Sequence, residues 1–105
     1  MKKVYHKLVR DKIPRIIEEA GHDCAVRQVY GDELSGYAKK KLQEEVQEFV
    51  ENPSSEEAAD IMEVLSFICD RMGISHHAIR AQKLAKNARN GTFDQGLVLE
   101  WVEEK

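Results

Sequence analysis

Two long amphipathic segments separated by a short break limit the fold of this chain more than any other feature. Apolar residues recur every three or four positions from Leu34 to Val50 and again from Ala58 to Met72, a spacing that lines one face of an α-helix. Between them, Pro53 cannot continue a helix, whereas Ser54 or Ser55 is a favoured N-cap. The sequence therefore predicts two helices folded back on each other as an antiparallel hairpin.

Shorter elements are predicted on either side of this hairpin. One helix fits residues 12–20 and another fits residues 75–90, and each is followed by a glycine. Residues 24–30 are expected to form a strand or an extended connector, and the tail after residue 91 is expected to pack across the helices as an arm or a short strand. The sequence thus predicts one all-α domain over residues 1–105, a helical hairpin or bundle with a short strand or an extended arm at each end.

Composition narrows the class of protein. A chain of 105 residues that is 42% hydrophobic and 33% charged suits one domain with a modest core, small enough for an oligomer interface to add stability. No apolar run approaches the ~20 residues that span a bilayer, and the first residues lack the apolar stretch of a signal peptide, so we expect a cytoplasmic protein with no membrane partner. Two cysteines are too few for a disulfide framework, and Cys69, on an apolar stripe, is expected to be buried. A net charge of -3 argues against binding to nucleic acid polymers.

Charge is distributed unevenly along the chain. Nine acids and no base lie between Leu42 and Asp70, although helix surfaces normally mix the two signs because like charges four positions apart repel. Bases concentrate on either side, with six in residues 1–15 and five in residues 71–90. Either these segments pair with each other in the fold, or they form a site where a cation and a polyanion meet.

Four of the acids stand at matching distances from the turn at Pro53. Glu48 lies five residues before the proline and Glu57 four residues after it. Glu45 lies eight residues before it and Asp60 seven after it. With a rise of ~1.5 Å per residue, each pair falls at nearly the same height in antiparallel helices, and the spacing of three within each helix puts both side chains on one face. The four carboxylates are therefore expected to converge.

Converging carboxylates that are partly buried need a counter-charge. Oxygen ligands alone suit a hard divalent cation, Mg2+ above all, with Mn2+ as a substitute. Other interpretations stay open, since Ser54 and Glu57 also fit a capping box. Two acids also have a lysine four residues back, which would leave them on a solvated helix face: Glu44 with Lys40, and Glu45 with Lys41.

Several motifs resemble those of one enzyme family. LxEExxE at residues 42–48 and ExxD at residues 57–60 resemble the metal-binding signature of the MazG-like, all-α nucleotide pyrophosphohydrolases, which include phosphoribosyl-ATP pyrophosphohydrolase. KLVRDKIPRII at residues 7–17 resembles the opening of the small MazG-related proteins, and KNARNGTFDQGLVLEWV at residues 86–102 resembles a later segment of the same proteins. The resemblance extends over nearly the whole chain.

The resemblance implies a reaction and a set of site residues. The reaction is Mg2+-dependent hydrolysis of a nucleoside triphosphate between the α- and β-phosphates, which releases the monophosphate and pyrophosphate in a house-cleaning role against noncanonical nucleotides. The implied metal ligands are Glu45, Glu48, Glu57 and Asp60. The first motif also holds the catalytic candidates, Glu44, Glu45 and Glu48, with Glu44 as a further ligand or a group that orients water. A homodimer or homotetramer is implied as well.

Bases in the flanking segments are candidates for holding the phosphates: Arg10, Lys12, Lys83 and Lys86. Each could instead be a surface base that pairs with the acidic hairpin. Two other functions stay open, a noncatalytic metal- and nucleotide-binding regulatory module on the same fold and a purely structural helical protein. A di-iron carboxylate bundle is disfavoured, because no histidine stands three positions after an acid of the hairpin.

Overall fold

The computed structural model describes residues 1–105 and contains four α-helices and no β-strand. In chain order they are α1 (Ile13–Glu19), α2 (Gly31–Glu51), α3 (Ser55–Arg71) and α4 (His76–Asn90). The predicted all-α class is confirmed. Residues 24–30 and the tail beyond residue 91 form neither helix nor strand, so the short strands considered for the two ends are absent. No helix combines the length and the apolar character that crossing a bilayer requires.

Local signals set the helix boundaries within a residue or two of the predicted ones. Ser54 is the N-cap of α3, and its Oγ accepts a hydrogen bond from the backbone N–H of Glu57 at 3.1 Å. Ser75 caps α4 in the same way, accepting from the N–H of Ala78 at 3.0 Å. Gly91 ends α4 with a φ of 84°, a left-handed conformation that glycine adopts without steric cost. As a result, only residues 52–54 separate α2 from α3.

The hairpin of α2 and α3 is the centre of the molecule, since these are the only two helices that pack extensively on each other. Its core is small. Ala38 on α2 and Cys69 on α3 are the only apolar residues that are almost fully buried, at 1% and 7% exposure, so the expected burial of Cys69 is confirmed. Both helices carry further apolar residues that are half-buried, among them Leu34, Leu42, Phe49, Ile61, Val64, Phe67 and Ile68.

The last third of the chain has no extensive packing within the same chain. Every residue from Asp70 to Lys105 is exposed, and α4 makes no extensive contact with another helix. The expectation that the tail packs across the helices is therefore wrong, because the tail is exposed along its whole length. The tail's apolar side chains are between 75% and 83% exposed: Leu97, Val98, Leu99 and Trp101. A radius of gyration of 18.9 Å, against ~13 Å for a compact domain of this length, reflects this extended arrangement.

Candidate metal centre

Three carboxylates from the two halves of the hairpin meet at one point. Glu45 of α2 and Glu57 and Asp60 of α3 each place one carboxylate oxygen within 4.8 Å of the others. The short turn at Pro53 keeps Glu45 and Asp60 side by side, because they lie at nearly equal distances from the turn, and Glu57 lies about one helical turn before Asp60 on α3. Ionised oxygens this close repel one another unless a cation lies between them.

Glu45 is a charged residue in the core, with only 5% of its surface exposed. Its Oε1 lies 3.2 Å from the ammonium of Lys41, one turn earlier, whereas its Oε2 is buried without a hydrogen-bond partner. Burial raises the pKa of the Glu45 carboxyl above its usual value, Lys41 opposes this increase, and the charges of Glu48 and Asp60 add to it. The pairing with Lys41 that the sequence allowed therefore forms, but it satisfies only one of the two oxygens.

Glu57 carries the second buried oxygen that lacks a partner, its Oε2. In a full capping box this carboxylate would accept a bond from the backbone N–H of Ser54, but only the reverse bond, from the Glu57 N–H to Ser54 Oγ, is formed. No other buried side-chain oxygen or nitrogen of the protein lacks a partner. Leaving such an atom unsatisfied costs about 1–3 kcal/mol, so both costs fall on the same group of three carboxylates.

The two other acids of the first motif have different surroundings. Glu48 lies close enough to raise the pKa of Glu45, but it is not one of the three residues whose oxygens fall within 4.8 Å. Glu44 Oε1 accepts a hydrogen bond from the ammonium of Lys7 at 2.8 Å and lies 3.7 Å from that of Lys41. The bond from Lys7 holds the pKa of Glu44 below its usual value, so Glu44 is ionised at neutral pH.

Two neighbouring cavities share a wall near the carboxylates, and the smaller one is lined by two of the three, Glu45 and Asp60. The smaller has a volume of about 320 Å3 and is lined by Leu8, Val9, Arg10, Asp11, Lys41, Glu45, Asp60, Glu63, Val64 and Phe67. The larger has a volume of about 570 Å3 and is lined by residues of 6–11 and 25–29, with side chains that include Leu34 and Tyr37. Residues 8–11 and Phe67 line both cavities. The N-terminal segment is therefore a wall that the two cavities share, and both volumes fall in the range of small-molecule sites.

Of the four predicted phosphate-binding bases, the structure brings one to the carboxylates. Arg10 Nη2 donates to Asp60 Oδ1 at 2.8 Å. The other three form no ion pair and line neither cavity: Lys12, Lys83 and Lys86. Lys7, which pairs with Glu44, was not identified from the sequence. Residues 1–10 have neither helical nor strand periodicity, so no sequence signal places that side chain.

The chemistry of this group suits a hard divalent cation. All the donors are carboxylate oxygens, two of the buried ones have no partner, and no histidine or cysteine takes part. The bases of the N-terminal segment stand beside it and suit an anion. Comparisons of the chain with protein-family models, with curated proteins and with solved structures found no match.

Proposed function

We propose that this chain is a Mg2+-dependent nucleoside triphosphate pyrophosphohydrolase in which Mn2+ can replace Mg2+. The observation that carries the proposal is the pair of buried, unsatisfied oxygens on Glu45 and Glu57, in a group of carboxylates that a divalent cation would complete. The choice of reaction comes from the EExxE, ExxD and KLVRDKIP motifs, which resemble those of the MazG-like enzymes. These enzymes hydrolyse the bond between the α- and β-phosphates.

The carboxylates of the site would have different roles in the reaction. Glu45, Glu57 and Asp60 would hold the cation, with Glu48 next to them. When bound, such a cation neutralises charge that develops on the phosphates and lowers the pKa of a coordinated water. Glu44, which stays ionised, would accept a hydrogen bond from the attacking water and orient it.

The larger cavity is where we place the nucleoside. It shares the wall of residues 8–11 with the smaller cavity that holds Glu45 and Asp60. The half-buried rings of Tyr37 and Phe67 line it, and an aromatic face can stack on a base of any identity. This placement accommodates ordinary and noncanonical bases alike, as a house-cleaning role requires.

The proposal is tested by measuring pyrophosphate release from a panel of ordinary and modified nucleoside triphosphates, with Mg2+ and with chelator. Wild type should release pyrophosphate only with Mg2+, and Asp60→Asn should lose nearly all activity. Asp70→Asn is the matched control, since it makes the same change on the same helix at a carboxylate whose only ion pair is with His76, at 3.3 Å. Full activity of Asp60→Asn, or activity in chelator, would refute the proposal.

A noncatalytic metal- and nucleotide-binding module is the second candidate. It is favoured by the position of Glu48, which leaves the group with three close carboxylates instead of the four expected ligands. This candidate predicts that Mn2+ and nucleotide bind to wild type and fail to bind to Asp60→Asn, while no triphosphate of the panel releases pyrophosphate. The same panel, together with a measurement of Mn2+ and nucleotide binding, therefore separates the two functions.

We also propose that the chain assembles with copies of itself, as a homodimer or homotetramer. It exposes 9947 Å2 of surface, whereas a compact monomer of its mass exposes only ~6,000 Å2. Much of the exposed apolar surface lies on α4 and the tail: Ile79, Leu84, Phe93, Leu97, Val98, Leu99, Trp101 and Val102. Burial of such surface drives stable association. Sedimentation velocity should detect the oligomer, and a stable monomer at micromolar concentration would contradict it.

A further inference from the structure

Two ion pairs hold the N-terminal segment on the hairpin: one ends on Asp60 of the candidate metal centre, and the other ends on Glu44, the residue next to Glu45. Lys7 Nζ lies 2.8 Å from Glu44 Oε1, and Arg10 Nη2 lies 2.8 Å from Asp60 Oδ1. Every other ion pair of the protein joins residues that are six or fewer positions apart. The only long-range ion pairs in the molecule therefore end at this centre or at the residue beside it.

The two bases can leave their carboxylate partners for other anions. The side chains of Lys7 and Arg10 are 41% and 58% exposed, and ion pairs with that much water around them are weak. A divalent cation on the three carboxylates would compete with the Arg10 guanidinium for Asp60. A guanidinium displaced from a carboxylate finds matching geometry in a phosphate, which it can bind through two parallel N–H groups.

The cavities show where a phosphate chain could meet the displaced bases. Arg10 lines both cavities, whereas Lys7 lines the larger one. Arg10 thus lies on the wall between the carboxylates and the space in which the proposed function places the nucleoside, and Lys7 lies on the nucleoside side of that wall. A ligand that spans the two cavities must pass this wall with its phosphates.

We propose that Lys7 and Arg10 form a phosphate clamp, which holds Glu44 and Asp60 when no metal is bound and moves to phosphate oxygens when a cation and a polyphosphate enter together. This inference rests on the proposed function, because it needs a cation on the three carboxylates. It adds Lys7 to the ligand-binding residues. It also gives Arg10 two opposite effects, competing with the metal and favouring the phosphates.

The experiment is calorimetric titration of the full chain with two probes, Mn2+ alone and tripolyphosphate in excess Mg2+, which carries the phosphate chain without a base. Arg10→Gln should bind Mn2+ about two- to fivefold more tightly, the range expected from losing one exposed ion pair. The same variant should bind magnesium tripolyphosphate about tenfold more weakly, because a charge-assisted contact is lost.

Three further variants separate the clamp from a structural role. Lys7→Gln should weaken tripolyphosphate binding and leave Mn2+ binding unchanged, since Glu44 is not among the three converging carboxylates. Arg10→Lys keeps the charge and should retain wild-type Mn2+ affinity with partial phosphate affinity. Arg15→Gln is the matched control, because that guanidinium pairs with Glu19 at 2.8 Å within α1. It should change neither affinity.

The outcomes distinguish failure of the clamp from failure of the proposed function. If wild type binds Mn2+ and Asp60→Asn does not, but Arg10→Gln leaves both affinities unchanged or weakens both, the clamp is wrong and the metal site stands. If folded wild type binds no Mn2+, the proposed function and the clamp both fall. If Arg10→Gln fails to fold, the tripolyphosphate affinities of Arg10→Lys and Lys7→Gln test the clamp instead. Wild-type tripolyphosphate affinity in both variants would then overturn it.

Discussion

Replacing Glu45 by glutamine should make the metal-free protein more stable, although it removes a candidate ligand. Glutamine keeps the size and shape of the side chain and removes its charge. In wild type, two carboxylates within 4.8 Å each repel that of Glu45 by about 3.5 kcal/mol at an effective dielectric constant of ~20. Lys41 at 3.2 Å attracts it by about 5 kcal/mol on the same scale. These contributions nearly cancel, so the burial of the charge, which is the largest cause of the raised pKa of Glu45, decides the sign.

We therefore expect Glu45→Gln to raise the free energy of unfolding by about 1–2 kcal/mol near neutral pH, and the melting temperature by roughly 5–10 °C. The pH dependence identifies the cause. Because folding raises the pKa of Glu45 above 4.5, the native protein keeps this proton at pH values where the unfolded chain has lost it. The group's contribution to stability therefore falls as the pH rises above 4.5 and through the raised pKa. Well below 4.5 the carboxyl is protonated in both states, and the advantage of glutamine should disappear.

The assay is thermal unfolding followed by circular dichroism, in chelator and then with millimolar Mn2+. Mn2+ should stabilise wild type by mass action and leave Glu45→Gln unchanged, so the difference between the two should shrink or reverse. Glu51→Gln, at the exposed end of α2, removes the same charge and should show neither effect. A Glu45→Gln protein less stable than wild type in chelator at neutral pH would refute the reasoning, because it would show that the pair with Lys41 outweighs the repulsion.

Three other outcomes are expected. Ser54→Ala should lower the free energy of unfolding by about 1 kcal/mol through loss of the α3 cap, measured by urea unfolding with Ser54→Thr as the conservative control. Ala38→Leu should cost about 1–3 kcal/mol in the same assay, since a site that is 1% exposed has no room for a larger side chain. Lys7 lowers the pKa of Glu44, so this group contributes stability above its usual value near 4.5 and loses it as the pH falls through the lowered pKa. Lys7→Gln should return the Glu44 carboxyl titration to its usual range by NMR.

The helices could be predicted from the sequence because short-range rules determine them. Pro53 ends one pattern, Ser54 begins the next, and Gly91 closes the last, each through its own backbone chemistry. Counting positions from Pro53 also predicted that carboxylates of the two helices would meet. The count gives height along a helix and says little about rotation around its axis. Glu48 has a suitable height but does not enter the close group with Glu45, so height alone does not decide which acids meet.

The long-range contacts could not be predicted in the same way. The pairing of Lys7 with Glu44 spans 37 positions and comes from a segment without periodicity, so no local rule places it. The prediction for the tail failed although its local pattern was interpreted correctly. Its apolar residues, Trp101 among them, indicate a surface that is more stable when it is covered. The sequence does not show whether the covering surface belongs to the same chain or to another.

Because α4 lacks extensive packing within its own chain, we expect its helical content to depend on protein concentration. A helix of 15 residues without extensive packing is only marginally stable in water, and its four lysines and arginines, with no acid among them, add repulsion. If copies of the chain stabilise α4 when they meet, far-UV ellipticity per residue will rise with concentration and fall on dilution, while the signal of the α2–α3 hairpin stays constant. The basic surface with Lys83 and Lys86 would then form only at high protein concentration, so the helical content of α4 would report the concentration of the chain.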